Sequence, residues 1–149
     1  MQKVVKFGGS SLADSNQFKK VKAIIEADSL RNIVVVSALG KRNKQDYKIT
    51  DLLYLTGAHL KYGVDAYQVF SIIKERYFEV KNDLNLNLDL ESEFEVIEKE
   101  FSKNIDEEYL VSRGEYLAAK LMSAYLGYTF IDAKNLIFFD YDGNINEFK

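Results

Sequence analysis

Val4-Val5-Lys6-Phe7-Gly8-Gly9-Ser10-Ser11 decides how the rest of the chain is read. A short β-type run stops at a glycine pair followed by two hydroxyl residues, and an amphipathic helical pattern begins shortly after. Two adjacent glycines let the backbone turn sharply and leave no Cβ between the peptide N–H groups and an approaching ligand. Where such a loop feeds a helix, unpaired N–H donors and the positive end of the helix dipole converge, which favours an anion such as phosphate. Lys6 adds a full positive charge at the strand end. Taken alone, the pair also reads as a plain Gly-Gly turn beside an exposed lysine. The spacing is neither that of the P-loop nor that of the dinucleotide fingerprint.

Downstream, Asp14-Ser15-Asn16 offers N-cap residues for a helix through about Ala27, with Phe18, Val21, Ile24 and Ile25 on its apolar face. The run Asn32-Ile33-Val34-Val35-Val36-Ser37-Ala38 then reads as a strand buried on both faces, the signature of a parallel sheet between helices. Strand, helix and strand make a βαβ unit, expected to be right-handed. Ligands of such sheets sit beyond the carboxyl ends of the strands. The glycine loop and Ser37-Ala38-Leu39-Gly40 both fall at that edge, which raises the phosphate reading above the plain turn.

Residues 40–48 form a polar, basic loop, read as solvated in preference to folding over a polyphosphate. Thr50-Asp51 opens a helix that Gly63 closes, and His59 reads as a partly exposed residue of it. A second helix from Asp65 to about Asn82 carries Val69, Ile72, Ile73, Tyr77 and Val80. After a connector to Leu90, the stripe Leu90, Phe94, Ile97 and Phe101 marks a strongly acidic helix whose glutamates are a solvated face. The longest helix is expected from Asp106 to Leu126. Gly114 costs it stability unless something packs closely there. Glu115 lies next to it on a helix that should otherwise be buried, where a carboxylate needs a cation: a neighbouring Lys or Arg, or a ligand's ammonium. Tyr128 to Ala133 reads as a third strand. Phe138 to Phe148 reads as short β segments about a turn at Asp142-Gly143, its glycine out of register for a calcium loop.

Composition narrows the class. The 149 residues suffice for one domain with a real core, and 47% hydrophobic with 29% charged residues is globular, not disordered. A net charge of -3 gives no general attraction to nucleic acid or anionic membrane. The absence of cysteine rules out thiol catalysis, and a single histidine argues against a histidine metal cluster or a Ser-His-Asp triad. No signal peptide or membrane-length apolar run is visible, so a cytoplasmic protein is the expectation.

In this order the motifs resemble the aspartate kinases of the amino-acid kinase superfamily. Val5-Lys6-Phe7-Gly8-Gly9-Ser10-Ser11 looks like the signature loop. Val34-Val35-Val36-Ser37-Ala38 looks like the second-strand motif, Ile49-Thr50-Asp51-Leu52-Leu53 like the helix start after it, and Ser112-Arg113-Gly114-Glu115-Tyr116-Leu117 like the family's serine-any-glycine-glutamate motif. The fold so implied is α/β: a mostly parallel sheet flanked by helices, amino-acid kinase-like but truncated, with a helix-rich middle. The activity implied is transfer of the ATP γ-phosphoryl group to the β-carboxylate of L-aspartate, the first step toward lysine, threonine and methionine. By the same resemblance Lys6 is catalytic and contacts the phosphates, and Gly8, Gly9 and Ser10 cradle the transferred group. Ser37, Thr50 and Glu115 surround the aspartate, Glu115 facing its α-ammonium. Mg²⁺ bridges ATP oxygens, with no metal ligand assigned in this chain.

Family kinase domains continue well beyond this length, and ACT regulatory domains usually follow. Residues 1–149 are therefore expected to be the N-terminal portion of a kinase domain, without the ATP-binding half, inactive alone and drawn from a homo-oligomeric parent. Two alternatives stand beside this. One is another superfamily kinase acting on glutamate, acetylglutamate, carbamate or a nucleoside monophosphate. The other is a non-catalytic anion-binding or dimerisation module.

Overall fold

The structure, a computed structural model, describes residues 1–146. Strand β1 (Lys3–Lys6) pairs in parallel with β2 (Arg31–Val35), and α1 (Ser15–Glu26) makes the crossover between them. Four more helices follow: α2 (Ile49–Lys61), α3 (Tyr67–Asp83), α4 (Leu90–Lys99) and α5 (Glu107–Leu126). Local chemistry sets their ends. The Asp14 carboxylate accepts the Gln17 N–H at the start of α1, Asp89 accepts from Ser92 at α4, and Asp106 accepts from Glu108 at α5. Gly127, at φ +71°, ends α5 in the left-handed conformation that glycine adopts without a Cβ penalty.

One face of the sheet supplies Val5, Phe7, Val34 and Val36 to the core, where α1, α2, α3 and α5 bring in Phe18, Leu53, Phe70, Tyr77, Leu117 and Leu121. Phe94 of α4 meets Phe70 and Tyr77 edge-to-face, with centroids 5.6 and 6.1 Å apart. The stripes read from the sequence are buried in the core or packed against it, with two exceptions. Ile24 and Ile72 are exposed, each on the flank of its helix.

Two expectations about β structure are corrected. The strands are not buried on both faces: the paired Val4 and Ile33 are 64% and 42% exposed, and Val35 opposite Lys6 is 43% exposed. Helices cover one side of the sheet only, so a continuous β-branched run is here half-solvated. Residues 128–133 form no strand; they lead into a 3-10 turn at Ala133–Asn135 and pair with neither strand of the sheet. Phe130 instead packs edge-to-face on Tyr116 of α5. The later turn is present, with Gly143 at φ +82° and an antiparallel bridge from Phe139 to Ile145. Phe148, the expected end of that segment, lies outside the described residues. Among the described residues no helix is long and apolar enough to cross a membrane.

Candidate functional site at the carboxyl ends of the strands

Parallel pairing puts the exits of both strands at one edge, as the sequence reading requires. Phe7 N–H continues the ladder by donating to Val35 O at 2.9 Å, and Gly40 N–H donates to Gly9 O at 2.9 Å. The two loops are packed backbone to backbone. A Cβ on Gly9 would stand 3.0 Å from Ala38 O, and one on Gly40 only 2.5 Å from the Gly9 carbonyl carbon. Gly9 and Gly40 are thus explained by close approach.

Gly8 is different. Its backbone is extended (φ -78°, ψ 173°), a conformation any residue adopts, and a Cβ there would meet nothing within 4 Å. Neither packing nor backbone conformation asks for glycine at position 8, and the absent Cβ leaves the main chain there open to solvent. The loop does not feed α1 directly. Residues Gly9–Leu12 form a 3-10 turn first, and the α1 terminus is already occupied by the Asp14 carboxylate. The dipole of α1 is therefore not what this loop presents to an anion.

The other motifs arrive at the same edge through Ala38 and Gly114. A Cβ on Gly114 would lie 2.8 Å from Ala38 Cβ, 3.1 Å from Leu53 Cδ1 and 3.6 Å from Ile49 Cγ2, so α5 lies directly against the β2 exit and the start of α2. Ser37, Thr50 and Glu115 are the chain neighbours of Ala38, Ile49 and Gly114, and the structure brings those three segments into contact. Ile49 N–H donates to Leu39 O at 3.1 Å, and α2 begins without a side-chain cap. The hydroxyls of Ser15, Thr56, Ser71, Ser92, Ser112 and Ser123 all hydrogen-bond within the protein. Those of Ser10, Ser37 and Thr50 have no such partner among the described residues.

Glu115 departs from the expectation of burial. It is exposed, and its carboxylate makes no ion pair with Lys or Arg among the described residues. Arg113 is stacked between Tyr109 and Tyr116, 4.7 and 4.5 Å from their ring centroids, and bonds Tyr109 O and Ser112 instead. Lys6 is backbone-paired with Val35 on the open face of the sheet; its ammonium has no carboxylate partner among the described residues. Two shallow hollows of about 450 Å³ lie elsewhere, around Ile105 and Tyr109 and around Val64 and Tyr67.

The sequence reading missed what holds these loops. Arg76 of α3, 3% exposed, sends Nη2 to Gly40 O (2.6 Å) and Ala13 O (3.0 Å), and Nη1 to Tyr47 O (3.1 Å). Asp46 answers its charge at 3.4 Å and pairs with Arg42 at 2.7 Å, which in turn reaches Glu79 at 3.2 Å. The Arg42 hydrogen bond, above all, holds the Asp46 carboxyl well below the usual carboxylate range. Loop 40–48 is thus anchored at Arg42, Asp46 and Tyr47, not merely solvated. Beside Arg76, the buried Tyr77 hydroxyl donates to Gly114 O at 2.8 Å. A signal existed: Arg76 falls on the apolar stripe Ile73, Tyr77 and Val80, where an unpaired cation would be costly.

A profile of the Amino acid kinase family matches residues 1–148. The chain belongs to the amino acid kinase family. Within that family it is 37% identical over 140 residues to aspartokinase 3 of Bacillus subtilis, covering 89% of this chain and 30% of that protein. It is also similar to the crystal structure of Clostridium acetobutylicum aspartate kinase, with TM-score 0.93 and 49% identity over 99% of this chain and 34% of the other. Escherichia coli aspartokinase III, crystallised with aspartate and ADP, shares the fold at TM-score 0.67 and 24% identity, over 85% of this chain and 29% of that one. This amino acid kinase chain spans about a third of the length of the relatives it matches.

Proposed function

We propose that this chain forms the phosphate cradle and the amino-acid-facing wall of an aspartate kinase, which transfers the ATP γ-phosphoryl group to the β-carboxylate of L-aspartate to give 4-phospho-L-aspartate. The supporting observation is the joint at the strand ends, where Gly9 meets Ala38 and Gly40 while Gly114 meets Ala38 and Ile49. Four motifs far apart in the chain meet at one edge. The relatives that the chain resembles over most of its length are aspartokinases, and one of them was crystallised with aspartate and ADP.

The chemistry suits these residue types. A free aspartate carboxylate has a pKa near ~3.9 and is ionised at neutral pH, so the nucleophile needs no general base. The task is to bring two anions together and to stabilise charge spread over the transferring phosphoryl. In this reading Lys6 supplies the positive charge, and the Gly8, Gly9 and Ser10 backbone approaches the phosphates closely. Ser37 and Thr50 offer free hydroxyls to the substrate carboxylates, and Glu115 offers an unpaired carboxylate to its ammonium. Among the described residues no three acidic or histidine side chains gather as a metal cage. Magnesium would neutralise phosphate charge when bound with ATP, and none of these residues is assigned to it.

The remaining length of the relatives would supply the nucleotide-binding half and the ACT domains, in a cytoplasmic, homo-oligomeric parent that feeds lysine, threonine and methionine synthesis. The 149-residue chain alone is expected to turn over ATP and aspartate negligibly. Titration of the ¹⁵N-labelled chain with L-aspartate, L-glutamate and ADP tests the reading. L-aspartate should shift the amides of residues 8–10, 37–40 and 50, and Glu115→Ala should weaken its binding about tenfold or more. A preference for glutamate, or no response at these amides to any of the three ligands, would overturn it.

A further inference from the structure

We propose that Arg76 and Tyr77 are positioning residues that set the spacing between the glycine loop, the β2 exit and α5. The proposal rests on the reading of that edge as the aspartate and phosphate site, and goes beyond it by assigning the geometry to two buried residues of α3 that touch neither ligand.

The two side chains divide the work. Arg76 gathers three main-chain carbonyls from two loops, 63, 36 and 29 residues away in sequence: Ala13 before α1, and Gly40 and Tyr47 of loop 40–48. Gly40 is the hinge of this arrangement, since its carbonyl is held by Arg76 while its N–H holds Gly9 O. A planar guanidinium with fixed donors suits such a junction; a lysine has fewer donors and no fixed fork. Tyr77 does the same for the opposite wall. Its hydroxyl donates to Gly114 O, on the helix that carries Glu115, at the point where that helix packs against Ala38 of the β2 exit. Arg76 thus fixes where the phosphate cradle stands, and Tyr77 where the ammonium acceptor stands. Their adjacency on α3 makes the two walls move as one. Purely structural residues would stabilise the fold without setting this distance.

The experiment measures amide hydrogen exchange and L-aspartate binding by NMR in the whole chain, in Arg76→Lys and Tyr77→Phe. The expected result is that Gly40 N–H exchanges about tenfold faster in Arg76→Lys, as for loss of one charge-assisted hydrogen bond, while Leu117 and Leu121 amides keep their rates. The dissociation constant for L-aspartate should rise about fivefold or more in both variants. Equal acceleration at Gly40 and at Leu117 and Leu121, or unchanged aspartate affinity in variants that fold, overturns the proposal. Should Arg76→Lys fail to fold, Tyr77→Phe decides alone, since it removes one oxygen and keeps the ring. Absence of any response to L-aspartate or ADP in the unsubstituted chain sinks the functional reading instead, a separate result.

Discussion

The two ends of the same pair of strands are built to different standards. At their carboxyl edge, backbone touches backbone: Gly40 and Gly9 leave no room for a methyl group, and a buried guanidinium fastens three carbonyls of two loops. On the outer face of the same strands, Val4, Ile33 and Val35 stand exposed. Close packing is concentrated where loops from distant parts of the chain must keep a fixed spacing. Side-chain identity on the open face has no such demand within residues 1–146. The sheet is a rigid rim attached to a permissive surface.

The largest expected effect that would break this contrast is at the rim. Gly40→Ala places a Cβ 2.5–2.8 Å from Gly9 and Ser10 backbone atoms, none of which is the end of a flexible chain. It should cost about 3 kcal/mol in chemical denaturation, the upper range for overpacking. A loss below 1 kcal/mol would show that the two loops slide apart freely.

Next is Asp46→Asn, which removes the carboxylate facing Arg42 and Arg76 and should cost about 2 kcal/mol at neutral pH, as for hydrogen bonds to charged groups. Because the folded state holds Asp46 deprotonated below its ordinary range, its contribution is present above the unfolded value near ~3.9 and is lost as pH falls from there toward the lower folded value. Stability of the native sequence should therefore decline below about pH 4 more steeply than that of Asp46→Asn. Parallel pH curves would remove Asp46 from the anchor.

Gly114→Ala gains about 1 kcal/mol of helix propensity but drives a methyl group against Ala38 and Leu53, an overpacking cost of about 1–3 kcal/mol. The expected balance is a loss of about 1 kcal/mol, read from a thermal melt; a gain would mean that α5 can back away from β2.

The smallest effects sharpen the comparison from the other side. Ile33→Thr on the open face and Gly8→Ala at the rim should each stay within about 0.5 kcal/mol of the parent. Gly8→Ala should nonetheless weaken binding of ADP, since the methyl group would occupy the space over the loop amides. A substantial loss of stability from Ile33→Thr, with a concentration-dependent sedimentation coefficient, would mean that this face is covered in solution.

Much of this was legible in order along the chain. The parallel βαβ unit followed from a β run, an amphipathic helix and a second β run, and the βαβ rule alone put the glycine loop and residues 37–40 at one edge. Gly114 was readable as a close-packing position because a mid-helix glycine needs such a reason. Glu115 was misjudged as buried: its helix covers the core with Gly114, Leu117 and Ala118, while position 115 turns outward. The segment 128–133 has strand-like residues, yet a strand exists only where another backbone offers its hydrogen bonds.

What the sequence determined by itself is therefore what local forces decide: helix starts at Asp14 and Asp106, the end of α5 at Leu126, the apolar stripes, and the placing of the glycine loop beside residues 37–40 at the strand ends. Only the tertiary structure decided that Gly9 is shaped by Ala38 and Gly40 while Gly8 is shaped by neither, and that Arg76 and Tyr77 tie the loops together. Capping and periodicity act within a few residues. A buried guanidinium choosing carbonyls 29, 36 and 63 residues away depends on how helices pack, which no short window of sequence contains.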